Sequence, residues 1–124
     1  MDVEKQVQYW RESAVDDLEA ATLLFDKGKV NQGLFFAHLA LEKALKAVVC
    51  RAIQSTPPLT HNLPKLADCS GIPFTADQRR FLARVSRFQI RGRYELPARP
   101  LISRKECPGF RNTVEETVQW LINQ

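Results

Sequence analysis

Residues 33–49 read GLFFAHLALEKALKAVV. This is the longest apolar-looking run in the chain, but His38, Glu42, Lys43 and Lys46 interrupt it, so it cannot cross a bilayer. Its apolar positions instead recur at helical steps. Val30, Leu34, Ala37, Leu41, Ala44, Leu45 and Val48 form one stripe. Alanine, leucine and lysine are strong helix formers. Pro57 and Pro58 in TPPL, residues 56–59, end the run, because proline cannot donate to the helix ladder and clashes with the preceding turn. The spacing predicts a helix over 30–54.

Working outward, the same period appears on both sides. Val3, Val7, Trp10, Ala14, Leu18, Ala21, Leu24 and Phe25 predict one long helix over 2–26, with Gly28 as its stop signal. THNLPKLADCSG, residues 60–71, reads as a short helix capped by Thr60 or Asn62 and closed by Gly71. TADQ, residues 75–78, matches a capping box, with Thr75 as the cap and Gln78 three positions on. A helix is expected from there to about Arg91, with Gly92 in the left-handed position that ends it. Pro97, Pro100, Pro108 and Gly109 mark 94–109 as a loop, and a last helix is expected over about 109–122. No strand-period alternation and no internal repeat is present. The reading is a single all-α domain over 1–124, an up-and-down antiparallel bundle of four main helices and one short one.

The totals agree with a globular fold. Apolar residues make up 44% of the chain and charged residues 26%, which excludes a disordered polyampholyte. The N-terminus, MDVEKQVQYWRE, has no apolar segment of the kind that starts a secretory signal. Cys50, Cys69 and Cys107 are odd in number, far apart and without metal-ligand spacing. They read as reduced thiols, and a cytoplasmic protein with no bound metal and no cofactor is expected. No phosphate-cradling glycine loop, metalloprotease motif or nucleophile triad is legible.

Charge is unevenly spread. Residues 1–26 hold two basic and seven acidic residues, whereas residues 79–105 hold nine basic residues and one acid. The stretch RRFLARVSRFQIRGRY, residues 79–94, alone has six arginines and no acid. On a helix, Arg80, Arg84, Arg87 and Arg91 share one face beside the apolar stripe of Phe81, Val85 and Phe88. Like charges one turn apart disfavour an isolated helix. An acidic counterpart is therefore expected, either the first helix, through Glu12, Asp16, Asp17 and Glu19, or an anionic ligand.

Three patches together resemble the HEPN domain family: FFAHLALEKALKAVV on the second helix, THNLPKL after the prolines, and RGRY ending in Arg93 and Tyr94. AVDDLEAA on the first helix adds to the likeness, which covers nearly the whole chain. The resemblance implies a helical bundle that usually dimerises. It also implies a small stand-alone member of the type encoded beside a minimal nucleotidyltransferase, behaving as one half of a toxin–antitoxin pair. Other branches of the family are metal-independent ribonucleases with an arginine, four to six intervening residues and a histidine. Here no arginine lies five to seven residues before His38 or His61, the only two histidines. No catalytic residue is assigned, and the balance leans away from an enzyme.

The expected function is thus a homodimeric, nucleotide- or RNA-binding regulatory module working with a separate nucleotidyltransferase, with no membrane partner. The alternatives are a ribonuclease that lacks the usual motif and a non-catalytic structural or adaptor bundle. Arg93 and Tyr94 lead the candidate binding residues, because a guanidinium grips phosphate and a phenol ring stacks on a base. His61 joins them as the liner of a cleft, and Arg87 and Arg91 as the end of the arginine face. Lys43 and Lys46 are candidates for the same groove. Against that stands a plainer reading in which Glu42, Lys43 and Lys46 form a solvated, salt-bridged face, with Asp17 paired to either lysine.

Overall fold

The computed structural model describes residues 2–88 and 99–124. Five helices account for the described fold: α1 (Val3–Asp26), α2 (Val30–Ile53), α3 (Leu63–Ser70), α4 (Ala76–Ser86) and α5 (Cys107–Ile122), with no strand among the described residues.

Each helix begins and ends for a local chemical reason. Asp2 caps α1 by accepting from Lys5 N–H at 3.1 Å. Gly28 adopts φ 76°, a left-handed conformation that glycine enters without a Cβ clash, and this turns the chain into α2. Asn62, one of the two residues expected to do so, caps α3 through Lys65 N–H at 3.0 Å, and Gly71 closes it at φ 75°. Thr75 and Gln78 make the expected reciprocal capping box on α4, at 3.0 and 2.8 Å.

Two boundaries differ from the sequence expectation. Helix α4 ends at Ser86 rather than near Arg91, with Arg87 as its cap residue donating back to Arg84 and Val85. The stop expected at Gly92 lies outside the described residues. Helix α5 starts at Cys107, two residues early, because Pro108 occupies the first turn, where its missing N–H costs nothing. A turn just before it is held by Ser103 and Glu106. Ser103 N–H donates to Glu106 Oε1 at 3.0 Å, and Glu106 N–H donates to Ser103 Oγ at 3.2 Å.

Helix α2 is the mast of the bundle and touches all four other helices. Leu34, Ala37, Ala40, Leu41, Ala44, Leu45 and Val49 are all fully buried. Alanines on this helix let its neighbours approach closely, and Gly33 takes this furthest. A Cβ there would sit 2.7 Å from the Phe25 ring of α1. Phe110 of α5 gathers a second apolar centre. Its ring meets Phe81 at 5.4 Å, Phe88 at 6.0 Å and Phe25 at 6.3 Å, which ties α1, α4 and α5 together. Among the described residues no helix is long and apolar enough to cross a membrane.

Candidate nucleic-acid interface

The polar residues of α2 fall on one line. His38, Glu42 and Lys46 are spaced by four, so they stack on one helix face, and all three are buried. Lys46 Nζ donates to Glu42 Oε2 at 3.0 Å and lies 5.3 Å from the centre of the Trp10 ring. The other carboxylate oxygen, Oε1, accepts from His61 Nδ1 at 2.8 Å. His38 Nε2 meets the backbone carbonyl of His61 at 3.0 Å. A carbonyl oxygen only accepts, so His38 carries its proton on Nε2. Two α2 side chains, one turn apart, thus hold both the ring and the backbone of His61.

This corrects the picture of Glu42, Lys43 and Lys46 as a solvated face. Glu42 and Lys46 form a buried pair, with side chains 5% and 8% exposed. Lys43 bonds Asp17 of α1 at 2.7 Å, which settles which lysine that carboxylate meets. Both lysines proposed for a binding groove are therefore neutralised inside the fold. His61 stands differently, with a side chain 43% exposed.

Part of the arginine face is accounted for, though not by the first helix. Helix α1 does not touch α4. Arg79 pairs with Asp68 of α3 at 2.6 Å, Arg80 with Asp77 of its own helix, and Arg84 with Glu106 before α5 at 2.9 Å. Arg84 also lies over the Phe110 ring. Glu106 is held below the usual carboxylate range, first by the Ser103 backbone N–H, then by the Ser103 hydroxyl and the Arg84 guanidinium. The helix thus spends three of its cations on scaffold contacts.

Other cations remain. Arg87, Arg99, Arg104 and Lys105 are exposed and make no ion pair among the described residues. The fold ties the segments that carry some of them to α2 and α4. Buried Asn31 at the start of α2 donates to the Arg99 carbonyl at 3.0 Å and accepts from Leu101 N–H at 2.8 Å. The Arg84–Glu106 pair sets the 103–106 turn against the later half of α4. At the end of that helix, Ser86 Oγ accepts from Leu63 N–H at 3.2 Å. His61 and Arg87 therefore stand close to one contact between α3 and α4. Arg91, Arg93 and Tyr94 lie outside the described residues.

Sequence reading missed Glu42 and Asn31. Each is a polar residue set in an apolar helix, and that isolation was the available signal. The spacing shows the Glu42–Lys46 pair, but His61 and the 99–101 backbone that Asn31 holds are far off in sequence.

An all-α bundle with a buried polar row on its central helix and several exposed, unpaired cations is the class of protein these features define. A family model of the HEPN domain matches residues 7–124, and the chain belongs to that family. Membership makes it a nucleotide- or RNA-related module in general terms, in a family whose members often pair or dimerise. The fold is similar to the crystal structure of TT1696 from Thermus thermophilus, with a TM-score of 0.76 and 21% identity, over 94% of this chain and 95% of that one. A comparison with curated proteins finds no match.

Proposed function

We propose that this HEPN domain binds RNA or a nucleotide through its exposed cations and acts as a regulatory partner of a separate minimal nucleotidyltransferase. In this reading it is a homodimer and one half of a toxin–antitoxin pair. The observation that carries the proposal is the surplus of Arg87, Arg99, Arg104 and Lys105, exposed and unneutralised where Arg79, Arg80 and Arg84 are already paired. Exposed, unpaired cations attract a polyanion, whose binding is driven by release of its counterions. The sequence adds Arg91, Arg93 and Tyr94 as candidate contacts, since they fall in its most basic segment, residues 79–105. His61 contributes from the adjoining turn.

The test is binding of a short labelled single-stranded RNA followed by anisotropy. Replacing Arg104 and Lys105 together by glutamate is expected to weaken binding at least about tenfold and to reduce its salt dependence. Equal affinity of the double variant and the native protein overturns the surface. The partnership is tested by looking for a minimal nucleotidyltransferase encoded beside this gene and co-expressing the two; if none is encoded there, that part is overturned. A native pair that does not co-purify overturns that part.

A further inference from the structure

The turn between α1 and α2 and the start of α5 enclose a cleft of about 650 Å³. That is the size of an ordinary small-molecule site. Phe25, Val30 and Pro108 supply its apolar lining. The Phe25 ring is fixed in place, since a Cβ on Gly33 would strike it and Phe110 meets it edge-on at 6.3 Å. Arg111 supplies a polar wall. Its guanidinium is held from two directions, by Asp26 through Nη1 and by Glu115 through Nε at 3.3 Å. Polar capacity is left over around it. Asp26 Oδ2, Glu115 Oε2 and Arg111 Nη2 make no hydrogen bond among the described residues, and neither does the exposed amide of Asn112, which also lines the cleft. Arg104 on the lining is exposed and has no ion pair among the described residues. Lys27 and Lys29, exposed and likewise without an ion pair among them, flank Gly28 of the same lining. These three cations outnumber the one negative charge that Arg111 leaves unbalanced on its two acids.

We infer that this cleft holds one nucleotide, its base on Phe25 and Arg111, the base edge on Asn112 and the spare carboxylate oxygens, and its phosphate at Arg104, Lys27 and Lys29. This rests on the RNA- or nucleotide-binding reading above and gives it a pocket. A bare anion would leave the apolar lining and the acceptors unused. An apolar ligand would leave the cations and the Asn112 amide unmatched. A flat ring with donors and acceptors along its edge and an anionic tail meets all of them. A guanidinium held by two carboxylates is a fixed plane, and a base stacks on such a plane as it does on an aromatic ring. A carboxylate oxygen only accepts, so it takes an N–H of the base. Adenine, cytosine and guanine offer an exocyclic amine there, and uracil does not. A free mononucleotide and one unstacked residue of a single-stranded RNA present the same chemistry to the cleft.

The experiment titrates the protein with AMP, GMP, CMP, UMP and inorganic phosphate in turn and follows the backbone amide signals. The three amine-bearing nucleotides are expected to shift the amides of Gly28, Arg111 and Asn112 with dissociation constants below about 1 mM. UMP should bind about threefold more weakly, for one lost hydrogen bond, and inorganic phosphate at least about fivefold more weakly, for the lost stacking. Arg111→Lys keeps the charge but loses the plane, and should weaken AMP at least about fivefold. Asn112→Leu changes an exposed side chain, and should weaken AMP about threefold while leaving inorganic phosphate unchanged. The labelled RNA separates the two sources. If AMP displaces it and Arg111→Lys weakens it, the occupant is a residue of RNA. If neither happens while AMP still binds, the occupant is a free nucleotide. Inorganic phosphate binding as tightly as AMP, or no nucleotide shifting those three amides while RNA still binds, overturns the cleft and leaves the exposed cations as an RNA contact. Absence of both RNA and nucleotide binding overturns both readings.

Discussion

Glu42 is the residue whose meaning changes most between sequence and fold. In the string Glu42-Lys43-Ala44-Leu45-Lys46 it reads as the acidic half of an i,i+4 pair on a wet helix face. In the fold the pair is intact but buried, because the chain after Pro58 returns across that face and lays His61 on the carboxylate. The helical period places Glu42 beside Leu41 and Leu45 and so hinted at burial. It could not show the covering turn, which lies nineteen residues away. A buried pair is sensitive to the loss of one member, since the other is left charged and less well compensated. Lys46→Met is therefore expected to destabilise the protein by about 3 kcal/mol. Glu42→Leu combined with Lys46→Met should recover much of that loss, because two apolar side chains replace two desolvated charges. Urea unfolding of the native protein and the two variants checks this, and a double variant as unstable as the single one contradicts it.

At the scale of the element, most helix boundaries were legible, and one end and one start were not. Asp2, Asn62 and Thr75 each bond the N–H three residues on, and such caps are written in short sequence. The end of α4 at Ser86 was not legible. The arginines continue past it, and the helical period alone gave no reason to stop. The turn before α5 was also missed, although Ser103 and Glu106 have the spacing of a capping box, because the neighbouring prolines had marked the whole segment as loop. That turn has a pH signature. The folded state holds the Glu106 carboxyl below its ordinary range, chiefly through the Ser103 N–H. A depressed folded value means a stabilising contribution that is present above the unfolded value and lost as pH falls through the folded one. Acid should therefore loosen the start of α5 and release Arg84. Protection of the amides of residues 106–110, taken relative to their intrinsic exchange rates at each pH, is expected to fall as the Glu106 carboxylate is protonated in the native protein and to fall less in Glu106→Gln. An identical acid response in the two proteins counts against this turn.

Across the whole molecule, the separation of charge was plain in the sequence, but its purpose was not. Two explanations were open for the arginines, an internal acidic partner or an external anion. The fold gives three of them acidic partners within the chain. Arg79 and Arg84 meet Asp68 and Glu106, which sequence could not bring to them, Arg80 meets Asp77 on its own helix, and the acidic first helix lies elsewhere. These pairs are solvated. Arg80 and Asp77 are 71% and 87% exposed, and Arg84 and Glu106 are 37% and 51% exposed. Pairs of that kind contribute on the order of 0–1 kcal/mol each and are screened by salt. The stability of the bundle rests instead on the leucines and alanines around α2 and on the Phe110 cluster, which salt does not weaken. Raising salt from about 50 mM to about 500 mM should therefore move the melting temperature by no more than about 3 °C. Over the same range RNA affinity should fall by more than about tenfold, because each phosphate contact of the exposed cations depends on counterion release. Both quantities can be measured on one preparation. A large loss of thermal stability with little change in binding would mean that the arginines serve the scaffold alone, and that the exposed cations are not an RNA surface.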